Sequence, residues 1–158
     1  MNMNRQRRTL LKTSGAASAI AVAAAAGLVR PIDAFASEWN KAAFESKNPA
    51  DALKNIDAVG AAASKDIIIK APDIAENGAV VPIEVTSNIA GTQSIAILVE
   101  KNPQPLAASF NVSNGGDGYA SVRLKMGTSS NVTAVVKAGG KTYTASKEVK
   151  VTIGGCGG

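Results

Sequence analysis

Asn131-Val132-Thr133-Ala134-Val135-Val136-Lys137-Ala138-Gly139-Gly140-Lys141-Thr142-Tyr143-Thr144-Ala145-Ser146-Lys147-Glu148-Val149-Lys150-Val151-Thr152 is the stretch from which the fold is read. It contains two runs rich in Val and Thr, side chains that fit a pleated, half-buried surface. Between them, Gly139-Gly140 is a two-residue link that accepts positive φ at both positions, so residues 131–138 and 142–152 are expected to form a hairpin. The second run alternates in Val149, Val151 and Ile153 and then enters a glycine-rich tail.

Working back from this hairpin, residues 67–71, 80–87, 94–100, 106–112 and 119–126 show the same Val, Ile and Thr enrichment between turn residues. Seven short strands in a span of this length predict a mainly β protein, specifically an immunoglobulin-like antiparallel β-sandwich. The Cys…Trp…Cys pattern of true immunoglobulin domains is absent, since Cys156 is the only cysteine. Pro82, which cannot donate to a ladder, predicts an edge or a bulge in its strand. Asn114-Gly115-Gly116-Asp117-Gly118 has no lysine and no following helix pattern, so it reads as a hairpin tip and not as a phosphate loop.

Ahead of the strands, residues 38–60 look helical. Trp39 and Phe44 fall in one amphipathic piece and are expected to pack on the domain. Asn48-Pro49-Ala50-Asp51 then supplies a cap, a proline at the first helical position and an early acid. Leu53, Ile56 and Val59 are expected on one face, with the helix ending near Gly60.

The first segment reads as an address. Arg7-Arg8 opens a twin-arginine pattern, an Ala-rich apolar stretch follows over 16–29, and Ala34-Phe35-Ala36 is a small-residue cleavage site. The apolar run is broken by Gly27 and stops at Arg30-Pro31, short of the ~20 residues that a membrane span needs. Export to the periplasm with cleavage after Ala36 is expected, and no membrane association thereafter. The organisation is then signal peptide 1–36, helical segment 37–63, β-sandwich 64–153 and a C-terminal arm 154–158. Residues 37–158 carry 12 basic and 11 acidic side chains, so the basic balance of the whole chain belongs to the signal. Nucleic-acid binding, which requires a clustered basic face, is not indicated.

The arm is Gly154-Gly155-Cys156-Gly157-Gly158. Glycine leaves its backbone free of Cβ constraint, so a lone thiol there reads as a reactive group on a flexible arm. An odd cysteine in an exported protein signals intermolecular bonding or a free reactive thiol. The chain has no histidine, which removes the commonest metal ligand and general base. One cysteine builds neither a zinc nor an iron–sulfur site. Neither a metal, a cofactor nor a self-contained catalytic site is therefore expected, and the thiol starts from an ordinary pKa of about 8.5.

With its flanking segments, the tail resembles the SoxY family, the carrier subunits of the Sox thiosulfate-oxidising system. The resemblance rests on Gly154 to Gly158, on Ala71-Pro72-Asp73-Ile74-Ala75-Glu76-Asn77-Gly78-Ala79-Val80-Val81-Pro82, on Glu100-Lys101-Asn102-Pro103-Gln104-Pro105-Leu106 and on Val149-Lys150-Val151-Thr152-Ile153. It implies a carrier and not an enzyme, with Cys156 as the covalent attachment point and Gly154, Gly155, Gly157 and Gly158 as the arm. It also implies a heterodimer with a SoxZ-like subunit. SoxXA, SoxB and, where present, a sulfane dehydrogenase would be transient partners. Two rivals remain at this stage. One is an exported β-sandwich interaction module that dimerises through Cys156. The other is a carrier that loads sulfur on the Gly158 carboxylate, which the export signal and the sandwich pattern oppose.

Overall fold

The computed structural model describes residues 39–113 and 115–152. Among the described residues, two short helices come first, α1 (Lys41–Glu45) and α2 (Pro49–Asn55). Each is started by an asparagine. The Asn40 side chain accepts from Ala43 N at 3.0 Å, and the Asn48 side chain accepts from Asp51 N at 2.9 Å. Pro49 fills the first helical position, where its missing N–H costs nothing. Asn40 Nδ2 donates to the Asn55 carbonyl and Asn55 Nδ2 to the Ala42 carbonyl, tying the two helices together.

Helix α2 stops earlier than its apolar pattern suggests. Ala58 N donates to Leu53 O and Asp57 N to Lys54 O, with Asp57 at φ 51°, the paired bonds of a Schellman end. The turn buries Ala58 and sends Val59 outward, where it is 75% exposed, so the expected Leu53–Ile56–Val59 face loses its last member. Phe44 packs with the buried helix residues, while Trp39 lies against its ring at 5.8 Å and stays exposed.

Nine strands follow among the described residues: β1 (Ala62–Ala63), β2 (Ile67–Lys70), β3 (Ile74–Ala75), β4 (Val81–Ser87), β5 (Thr92–Val99), β6 (Leu106–Asn111), β7 (Tyr119–Leu124), β8 (Ser130–Ala138) and β9 (Lys141–Val151). They form a large sheet, β1-β9-β8-β5-β6, and a small one, β2-β4-β7. The β8–β9 hairpin turns on Gly139 and Gly140 at φ 55° and 73°, with Ala138 opposite Lys141, as its sequence predicts.

The inner faces of the two sheets share one core. Val81, Ile83 and Val85 of β4 meet Ile95, Ile97 and Val99 of β5 and Val132, Ala134 and Val136 of β8. On the other face of the large sheet, Ala96, Leu98, Leu106 and Val135 form a second cluster with Ala43, Ala52 and Ala58 of the helical segment. β5 and β8 are thereby covered on both sides, which is why β5 reads as a near-continuous apolar run from Ile95 to Val99. The result is a mainly β fold with an N-terminal helical layer.

Two local expectations change, and a third, the edge predicted at Pro82, holds. The strands are not all antiparallel, because β1 and β3 both pair parallel with β9. The two short pairs cover parts of the β9 edge, at Tyr143–Thr144 and Lys150–Val151, while β2 between them belongs to the small sheet. The glycine-rich stretch near 114–118 is not a hairpin tip. It links β6 of the large sheet to β7 of the small one, a choice of sheet that local turn chemistry does not encode. Pro82 lies on the middle strand of the small sheet, but β2 ends its pairing at Glu84, so β4 is locally an edge at the proline.

Leu98→Ala opens a hole between β5 and the helices and is expected to cost about 2–4 kcal/mol. Urea unfolding of the two proteins checks this. A loss below ~1 kcal/mol would mean that the helical layer contributes little to the core.

Candidate functional site

Gly154, Gly155, Cys156, Gly157 and Gly158 lie outside the described residues, as do Ile153 and residues 1–36, which the sequence reads as a signal peptide. What the structure does describe is the end of β9 that precedes them. β8 begins at Ser130, opposite Val149, so the β8 ladder provides no partner for Lys150, Val151 and Thr152. Their backbone groups still need hydrogen bonds.

These bonds come from two other segments. On one edge of β9, Lys150 N donates to Asp73 O and Thr152 N to Ala75 O, both at 3.0 Å, around the parallel pairs Ile74–Lys150 and Ala75–Val151. On the opposite edge, Val151 N donates to Ser129 Oγ at 2.9 Å, and Ser129 Oγ donates back to Val151 O at 3.4 Å. The alternation of N–H directions along a strand explains the arrangement, because successive residues face opposite neighbours.

The strap over 71–80 is fixed at both of its own ends. Lys147 Nζ donates to Ala71 O at 2.7 Å and pairs with Asp73 at 3.0 Å. At the other end Asn77 builds a turn by accepting from Ala79 N, and Met126 N donates to Gly78 O at 2.7 Å. Gly78 is required there by contact. A Cβ would run into the Met126 carbonyl oxygen and stand 2.7 Å from Val151 Cγ1. Neither glycine strain nor positive φ is involved.

The turn 100–105 reaches the same pole. Lys101 N donates to Ser130 Oγ, and Asn102 Nδ2 donates to the Lys125 carbonyl one residue before Met126. The segments 71–82, 100–106 and 149–152, far apart in sequence, are thus assembled around the root of the arm. An open groove of about 570 Å³ adjoins this pole through Asn102 and Lys125, with Arg123 and the Trp39 and Phe44 rings on its walls. Among the described residues no cluster of three His, Cys, Asp or Glu side chains is placed to hold a metal.

Sequence reasoning did not single out Ser129 or Lys147. Both are ordinary polar residues until the fold places them against 71–75 and Val151. The signal that was available is negative: β9 outlasts its hairpin partner and therefore needs other acceptors.

A family model, the sulfur oxidation protein SoxY, matches residues 53–156, with Cys156 as its last matched position. Among solved structures, the chain is similar to the sulfur carrier protein SoxY from Chlorobium limicola f thiosulfatophilum. The identity is 43%, over 66% of this chain and 96% of that one, at a TM-score of 0.60. Two structures of the superoxide reductase (neelaredoxin) from Ignicoccus hospitalis also match, at 17% and 16% identity and TM-scores of 0.49 and 0.48. They cover 54% and 66% of this chain, and 80% and 93% of their own. No curated protein matches the chain.

Gly78→Ala should destabilise the protein by about 1–3 kcal/mol, because the clash involves backbone that has little room to move. Gly127→Ala, where an added Cβ meets nothing within 4 Å, is the control. Thermal unfolding of both variants reads the difference, and equal melting temperatures would refute the contact.

Proposed function

This chain belongs to the SoxY family of sulfur oxidation proteins, and from that premise we propose how its sulfur-carrier role is performed. It is a carrier and not an enzyme. Cys156 is the covalent attachment point, and Gly154, Gly155, Gly157 and Gly158 form the arm that presents it. The observation that carries this reading is the only thiol of the chain, set among four glycines just past a strand whose end is anchored to the domain. A tethered thiol suits a substrate that must visit several active sites, because the intermediate does not diffuse away. Glycines beside the sulfur also leave no side chain to obstruct a narrow channel.

The chemistry balances as follows. The Cys156 thiolate and thiosulfate form an S–S bond and give up two electrons to the haem protein SoxXA, leaving a cysteine S-thiosulfonate. Hydrolysis by SoxB adds water to the outer sulfur and breaks the terminal S–S bond. Sulfate and two protons leave, and a persulfide stays on Cys156. The persulfide is what a sulfane dehydrogenase would oxidise further. A SoxZ-like subunit completes the working heterodimer.

The finer fold reading is an immunoglobulin-like sandwich. The order β2-β4-β7 facing β6-β5-β8-β9, with a shared core between them, supports it. The twin-arginine pattern and the Ala34-Phe35-Ala36 site support export to the periplasm with cleavage after Ala36.

Cys156→Ser is expected to abolish thiosulfate-dependent electron release in a reconstituted Sox system while leaving thermal unfolding unchanged. Intact-mass spectrometry without reductant, on protein from thiosulfate-grown cells, should find sulfane or thiosulfonate adducts that map to Cys156. A chain found only as a Cys156 disulfide dimer without adducts would favour the interaction-module reading instead. Replacing both Arg7 and Arg8 with Lys should leave the full-length precursor in the cytoplasm, as read by fractionation and blotting. Unchanged periplasmic yield would overturn the export route.

A further inference from the structure

The last three described residues, Lys150 and Val151 of β9 and Thr152 just beyond it, are held from both edges by segments outside the β8 ladder. The β8 ladder is complete at Val149. Val149 is the last fully buried β9 residue, Val151 is half-buried and packs on the core that includes Ala75 of the strap, and Thr152 is exposed. Beyond that point the strap 73–75 holds Lys150 and Thr152 from one edge and Ser129 holds Val151 from the other. The strap is in turn locked by Lys147 and by the tight approach of Gly78 to Met126 and Val151.

We infer that the Asp73–Gly78 strap and Ser129 form a root clamp that sets the length and direction of the tether carrying Cys156. This rests on the carrier reading of Cys156 and deepens it. Ser129 and Gly78 are positioning residues: they act on the thiol through β9, without touching it.

The geometry states what the clamp does. Cys156 stands four residues beyond Thr152 and seven beyond Val149. An extended tether of four residues reaches about 13 Å, whereas one of seven reaches about 23 Å. Freeing 150–152 would therefore almost double the reach. It would also dilute the thiol about twofold at a partner's active site from tether length alone. Direction is lost as well. A tether leaving from Thr152 starts along the axis of β9, and one leaving from Val149 starts with no imposed heading. Productive capture in a narrow channel depends on approach geometry, so the combined loss is expected to exceed the length effect.

The test uses the full mature chain with its partner proteins. Ser129→Ala removes the hydroxyl that holds Val151 and inserts no bulk. A second protein carries Gly-Ser-Gly inserted after Thr152, which lengthens the tether with the clamp intact. A third combines the two changes. Amide hydrogen exchange at 150–152 reads the clamp, iodoacetamide labelling of Cys156 reads intrinsic thiol reactivity, and thiosulfate-dependent electron release reads delivery.

Ser129→Ala should raise exchange at Val151 and Thr152 at least about tenfold and leave labelling unchanged. Delivery should fall about threefold in Ser129→Ala and in the insertion alike, with little further loss when they are combined. Independent, multiplying losses would point to a merely structural role and overturn the clamp. So would unchanged delivery in a Ser129→Ala protein whose exchange has risen. Unchanged exchange in both Ser129→Ala and Gly78→Ala would show that these contacts do not hold the root, which also overturns it. Cys156→Ser in the same assay separates the premise from the inference. Electron release that survives that change refutes the carrier reading itself.

Discussion

Double-sided burial of β5 and β8 is the constraint around which the molecule is arranged. A strand whose alternate residues all are apolar must find a partner layer on each face, or expose a hydrophobic surface to water. Ile95, Ile97 and Val99 turn toward the small sheet, and Ala96 and Leu98 turn toward the helices. The small residues Ala43, Ala52 and Ala58 let the helical segment lie close on Leu98 and Val135. The central strands thus explain both the second sheet and the helical layer, and they make β8 a rigid base for the hairpin that carries β9 outward.

A second constraint operates at the end of that hairpin. Backbone groups in a strand are satisfied in pairs, and β9 extends past the strand that pairs it. The molecule meets this need with a parallel clip from 73–75 on one edge and one serine hydroxyl on the other, where a longer β8 would have served Val151 alone. The Lys147–Asp73 ion pair is solvent-exposed on the acid side and contributes little energy by itself. Its effect is geometric: together with the bond from Lys147 to Ala71 O, it holds the strap in register with β9. The exit point of a carrier arm is thus defined by contacts among segments dozens of residues apart.

Strand positions were legible because periodicity and turn chemistry are local. The seven longer strands fall within two residues of where Val, Ile and Thr enrichment places them, and Gly139-Gly140 specifies its hairpin through positive φ. The asparagine caps of both helices are local for the same reason. What was missed has non-local causes. The two-residue strands Ala62–Ala63 and Ile74–Ala75 have no pattern of their own and exist only because β9 offers an edge. The link near 114–118 has turn residues that are indifferent to which sheet comes next. Val59 continues the helical period on paper, but the left-handed turn at Asp57 takes it out of the helix.

For the site the division is similar. The candidate thiol was identified by composition, since Cys156 is unique and no histidine is present to build another centre. That inference needs no coordinates, because elimination of residue types is complete once the sequence is known. The sequence by itself determined the mainly β class, the helical start, the hairpin leading to the tail and the one residue proposed to carry the sulfur. Only the tertiary structure decided that 71–78, 100–105 and Ser129 gather at the root of that tail, because hydrogen-bond partners for an unpaired strand end are chosen by proximity in space, and no spacing along the chain records it.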